Sequence, residues 1–146
     1  MRVLRHSFGG LVISLVTITL LTGCFGSVAS AECQGVEAWL AATKARNDQF
    51  ADELEVVMAK FEYGSYTQED FQEVIQMIDA IAAAQARSDP PPAAAPANVL
   101  MVDAMERYSA LFVTASKGEY ADMTTANAVM DKAAEAGNVL AEQCGL

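Results

Sequence analysis

The side chains best suited to chemistry in this chain are three cysteines, Cys24, Cys33 and Cys144, and one histidine, His6. A thiolate can serve as nucleophile, metal ligand or disulfide partner, and an imidazole as general base or ligand. His6 falls in the positively charged segment MRVLRHS, followed by FGGLVISLVTITLLT, fifteen uncharged residues from Phe8 to Thr22. A positive stretch leading into a short apolar run is the pattern of a secretory signal. The exported part therefore contains no histidine. It lacks the His-paired nucleophile, the usual haem ligand and the Glu-x-x-His pairs by which ferritin-like bundles hold two metals. An enzyme is not expected, and neither is a cofactor.

At the end of the apolar run, Leu21-Thr22-Gly23-Cys24 resembles the lipobox of bacterial lipoproteins, in which an apolar residue, a small one and a Gly or Ala precede the cysteine. The resemblance implies a diacylglyceryl group on the thiol of Cys24, cleavage between Gly23 and Cys24, and acylation of the new amino terminus with a chain such as palmitate. The rival exit is Ala29-Ser30-Ala31, an A-x-A site for ordinary secretion. An uncleaved anchor needs about 20 apolar residues, and Gly23, Gly26 and Ser27 make a poor second half for such a span. With positive charge at the amino terminus, each route places the domain on the extracytoplasmic side. Residues 1–23 are read as a lipoprotein signal peptide and 24–31 as a short tether. Phe25 is not the aspartate that holds many lipoproteins at an inner membrane, so the resemblance also implies outer-membrane sorting where an outer membrane exists. Cysteine parity agrees with lipidation, because using Cys24 leaves an even pair for an oxidising compartment.

All 19 acidic residues lie at or beyond Glu32, whereas Arg2 and Arg5 account for two of the nine basic ones. Beyond the leader, seven basic residues oppose 19 acidic ones, a net charge of −12. Phosphate binding needs a basic face, which argues against a nucleic-acid partner, and the same charge disfavours adsorption to anionic headgroups through the protein surface.

The remainder, residues 32–146, reads as helices. From Cys33 the positions 33, 36, 40, 43, 47, 50, 54, 57 and 61 alternate steps of three and four, the spacing of a helix packed in a bundle. Gly64 suits a left-handed cap after it, and Thr67 can cap a second helix beside Glu69 and Asp70. That helix carries the stripe Phe71, Val74, Ile75, Ile78, Ile81, Ala82 and Gln85. The segment SDPPPAAAPAN, residues 88–98, reads as a semi-rigid extended connection. A third helix follows from about Val99, with Met101, Met105, Tyr108, Leu111, Phe112 and Ala115 inward, and stops at Gly118. The fourth carries Tyr120, Met123, Asn127, Met130, Ala134, Gly137, Ala141 and Cys144. Four helices with short connections predict an all-α, antiparallel up-down four-helix bundle, with a three-helix bundle as the alternative.

In such a bundle the start of helix one and the end of helix four share an end. Cys33 and Cys144 sit there on inward stripes, which predicts a disulfide between them.

The remaining polar chemistry is sparse. Asp48, Asp52 and Glu55 share one helix face and could hold a hard cation, but no loop has the alternating ligands of an EF-hand, and a solvated face is the simpler reading. The methionines, Met101 and Met105 among them, could hold Cu(I) but suit core packing. Trp39 reads as a residue of the core edge, or else as a contact with lipid or a partner. Asn47, Gln85 and Asn127 fall within the stripes, where an amide needs a partner; they either fix register or line a small-ligand pocket.

The layout as a whole, a helix, a proline-rich connection and a Lys-Gly-Glu turn before ADMTTANAVMDKAAEAGNVL, also resembles that of uncharacterised helical lipoproteins of bacteria. The expectation is a lipid-anchored bundle at the cell membrane, meeting the membrane through Cys24 and either interacting non-covalently with an envelope protein or other envelope component or serving a structural role. The alternatives are a secreted form cleaved after Ala31 and a small-ligand or metal-binding module.

Overall fold

The computed structural model describes residues 31–62 and 64–146; the segment read as a signal peptide, most of that read as a tether, and Cys24 lie outside the described residues. Among the described residues the regular elements are all helical. The helices are α1 (Val36–Glu62), α2 (Gln68–Ala86), α3 (Ala95–Ser116) and α4 (Thr124–Gln143), with short 3-10 turns at Ala31–Cys33 and Pro92–Ala94. No described helix is long and apolar enough to cross a membrane.

The four helices form an antiparallel up-down bundle, and ring contacts show how the chain reverses. Phe61 near the end of α1 stacks on Tyr66 with centroids 5.0 Å apart and meets Phe71 at the start of α2 edge-on at 4.9 Å. Phe112, near the end of α3, joins them at 6.4 Å. These rings belong to the larger apolar core, which also holds Leu54, Val57, Val74, Ile78 and Met105. The opposite end has a smaller core of Val36, Trp39, Leu40, Ala94 and Leu140, drawn from the start of α1, the entry to α3 and the end of α4.

Local chemistry sets the turns. Gly64 (φ +68) and Gly118 (φ +77) take the left-handed conformation open to glycine. The following residues bond back to carbonyls one turn earlier, Ser65 to Lys60 over 2.9 Å and Glu119 to Thr114 over 3.4 Å, which ends α1 and α3. Thr67 caps α2 in a reciprocal box, its hydroxyl accepting from the N–H of Asp70 while the Asp70 carboxylate accepts from the N–H of Thr67.

The predicted stripes of α1 and α2 match the observed packing. Every α1 position from Val36 to Phe61 in that series is buried or half-buried, and every α2 position in its series is buried. Two expectations are corrected. The extended connection predicted over 88–98 gives way to helix before its end: α3 starts at Ala95 rather than Val99, with Pro96 in its first turn, where a proline gives up no helical hydrogen bond. Ala97 and Asn98 are consequently buried. The inward face of α4 holds in part but is centred differently: of the predicted positions Gly137 is buried and Met123, Met130, Ala134, Ala141 and Cys144 are half-buried. Ala126, Ala133, Gly137 and Leu140 are buried, while Asn127 is exposed and Tyr120 is 76 % exposed. The buried residues of α4 are mostly small, and they contribute little apolar signal by which the inward face could be recognised.

Candidate functional site

Between the two apolar cores lies a layer of polar side chains contributed by α1, α2 and α3. At its centre is Gln85, fully buried near the end of α2. Its Nε2 donates to Asn98 Oδ1 over 2.7 Å and, at 3.4 Å, to Thr43 Oγ1. Its Oε1 accepts from Arg46 Nη2 at 2.8 Å, and the same nitrogen donates to Thr43 Oγ1 at 3.0 Å. The chain of bonds continues outward as Trp39 Nε1 donates to Ser88 Oγ over 3.1 Å, and Ser88 Oγ donates to Asn98 Oδ1 over 3.4 Å. Trp39 is 6 % exposed and lies at the core edge, its indole N–H used internally.

Helix periodicity brings these groups together. Thr43 and Asn47 are one turn apart on α1, so both face inward, and the early start of α3 turns Asn98 toward Gln85. Arg46 forms no ion pair among the described residues; its half-buried guanidinium is held by a neutral amide and a hydroxyl instead. Two buried polar atoms in this region have no hydrogen-bond partner, Arg46 Nε and Asn47 Oδ1.

On the other side of Asn47 a small cavity of about 20 Å³ opens between α1, α3 and α4. Trp39, Leu40 and Asn47 form one wall and Ala97, Ala133 and Gly137 the facing one. The Lys44–Asp48 ion pair also borders it, and both of those side chains are substantially exposed.

The three amides singled out by sequence separate here. Gln85 is fully bonded, Asn47 is buried with an orphan oxygen, and Asn127 lies at the surface, accepting from the Tyr108 hydroxyl. Burial, followed by the nearby Asp131 charge, raises the pKa of Tyr108 above the ordinary phenol value. Asp48, Asp52 and Glu55 are exposed, and no three Cys, His or acidic side chains converge to hold a metal among the described residues. Met58 and Met105 are buried in the larger core, with Met77 packed against it. Sequence reasoning missed Arg46, Ser88 and Asn98. Only Asn98 left a trace, standing three residues before Met101 in the inward series of α3.

At the end of the smaller core Cys33 and Cys144 form a disulfide, with Cα atoms 5.5 Å apart across 111 residues of chain. Beside it Gly35 (φ +83) faces Pro91, where an added Cβ would stand 3.6 Å from the ring. The lead into α1 thus packs on the proline turn before α3. At the far end, Asp70 is 6 % exposed and accepts from Lys60 Nζ at 2.5 Å and from the Thr67 hydroxyl and N–H. The Lys60 bond, then those from Thr67, hold its carboxyl down at about 2.

Set against known proteins, the chain matches no protein-family model, no curated protein and no solved structure.

Proposed function

We propose that this protein is a lipid-anchored helical bundle of the bacterial cell envelope, held on the extracytoplasmic face through Cys24 and working by non-covalent interaction rather than catalysis. The observation that carries the reading is the spacing of two cysteines with different roles. Cys24 closes the lipobox-like Leu21-Thr22-Gly23-Cys24, and Cys33, nine residues on, is bonded to Cys144 where the bundle begins and ends. A chain spans at most about 3.5 Å per residue. The bonded end of the bundle would therefore stand within about 30 Å of the acyl chains, with α1 extending its 27 residues, about 40 Å, from there. The acidic surface keeps such a domain off anionic headgroups, so the lipid and not the protein face makes the attachment.

Intact mass of the mature protein from membrane and soluble fractions, with and without reduction, tests this reading. The expected species is in the membrane fraction, begins at Cys24, is heavier by its acyl groups and gains two hydrogens on reduction. A soluble chain beginning at Glu32 without lipid would overturn the anchor and favour secretion through the Ala29-Ser30-Ala31 exit. A second reading, a module that takes a small ligand, is supported by the cavity beside Asn47.

A further inference from the structure

We propose that the cavity between α1, α3 and α4 is a binding site for a free α-amino acid with a one-carbon side chain, alanine, whose methyl group enters the cavity while its charged groups meet Lys44 and Asp48 at the rim. The proposal deepens the small-ligand reading and is independent of the lipid anchor.

The wall selects a methyl group. Leu40, Ala97, Met101 and Ala133 make it mainly apolar. The polar atoms behind it offer a ligand nothing: Asn47 Oδ1 is shielded from solvent, and Thr43 Oγ1 is engaged on the α2 side by Gln85 and Arg46. At about 20 Å³ the space takes one group little larger than a water molecule. Water held there would lack the two or more polar partners that an ordered buried water needs, whereas a methyl group needs none.

The rim selects what carries the methyl group. Lys44 and Asp48, one turn apart on α1, are the charged side chains of the lining, and both are substantially exposed, so they stand where the cavity meets solvent. Lys44 Nζ and Asp48 Oδ2 are 2.5 Å apart, and an exposed pair of this kind contributes little to stability, so it opens at small cost. Acetate would find Lys44 but face the Asp48 carboxylate and an acidic domain. Methylammonium would find Asp48 but face the Lys44 ammonium. A zwitterion gives its carboxylate to Lys44 and its ammonium to Asp48, replaces one ion pair by two, and is neutral overall, so the net charge of the domain does not repel it. In alanine the carboxylate, the ammonium and the methyl group share one carbon, which suits an apolar cavity with both charges on its rim. Glycine brings the charges without the methyl group, and the leucine side chain exceeds the space.

Nuclear magnetic resonance on the isotope-labelled full chain in detergent, at about 0.15 M salt to screen long-range charge, tests the site with L-alanine, glycine, L-leucine, acetate and methylammonium added in turn. Alanine should give saturable shifts confined to the amides of Lys44, Asp48, Ala133 and Gly137 and to the indole N–H of Trp39, which also lines the cavity. Glycine should bind about fourfold more weakly for want of one buried carbon, and leucine should leave these signals unmoved. Asp48→Asn should transfer the preference to acetate, and Lys44→Gln to methylammonium, with the rest of the amide spectrum unchanged. A merely structural ion pair would alter no ligand preference. Equal affinity for glycine and alanine would overturn the proposal. Saturable binding of acetate or methylammonium, but not of alanine, to the unmodified protein would overturn the zwitterion and leave the small-ligand reading standing. No saturable response to any of the five would overturn both.

Discussion

Arg46 Nη2 donates to Gln85 Oε1 over 2.8 Å, joining α1 to α2 through a charged donor and a fully buried amide. Gln85 also donates to Asn98, so one side chain ties three helices at a single level. Gln85→Leu removes the acceptor of a half-buried guanidinium and the closer donor to Asn98. Urea denaturation should show a loss of about 3 kcal/mol, the scale expected when buried partners are orphaned. Adding Arg46→Met should recover about 1–2 kcal/mol in a double-mutant cycle, because removing both partners leaves less unsatisfied. A neutral Gln85→Leu would mean that the polar layer adds nothing to stability.

Closing the ends of the bundle constrains the unfolded chain and also holds the terminal turns of α1 and α4 against local fraying. The Cys33–Cys144 bond encloses 111 residues, and typical gains for such bonds are about 2–4 kcal/mol. Reduction, or Cys33→Ala with Cys144→Ala, should lower the urea midpoint accordingly. Hydrogen exchange should show the first turn of α1 and the last turn of α4 losing protection before the aromatic cluster around Phe61. Equal loss at both ends of the bundle would argue against a local staple.

Substitutions to alanine at three glycines should differ in sign. Gly137 is helical and an added Cβ there meets nothing within 4 Å, so Gly137→Ala should raise stability by about 0.5–1 kcal/mol. Gly64→Ala and Gly118→Ala also find open space, but their φ values of +68 and +77 impose backbone strain, and each should lose about 1 kcal/mol. Thermal melts of the three variants decide the matter; stabilisation at Gly64 would contradict the left-handed turn.

Acid stability should depend on Asp70. Its carboxyl titrates at about 2 in the fold and near 3.9 in an unfolded chain. A folded value below the unfolded one gives stability that is fully present above about pH 4 and lost as pH falls toward 2. In the opposite limb, the hydrogen bond to Asp70 raises Lys60 above its ordinary value. That contribution is present below about pH 10 and lost as pH rises through the raised pKa. Asp70→Asn should therefore lower the melting temperature at pH 7, and the gap to the unmodified protein should narrow between pH 4 and pH 2. A gap constant across that interval would show that the ion pair is not the source.

The sequence by itself determined the helical class, the phases of α1 and α2 and the turn at Gly64-Thr67. In those helices large side chains such as Phe61, Phe71 and Ile78 repeat in steps of three and four, so burial and periodicity carry the same information. Tertiary structure alone decided the phase of α4, where Ala126, Ala133 and Gly137 bury little apolar area and the larger Met123 and Met130 are only half-buried. It also decided the start of α3, because a proline is compatible with both an extended linker and a first helical turn. The polar layer was the least legible feature. Asn47 and Gln85 stood out as amides within apolar stripes, but their fates diverged through partners distant in sequence: Arg46, Ser88 and Asn98 reach Gln85 or Asn98 only once three helices pack. Hydrogen-bond satisfaction is a property of that packing, which is why the orphan oxygen of Asn47, and the cavity next to it, became visible only in the fold.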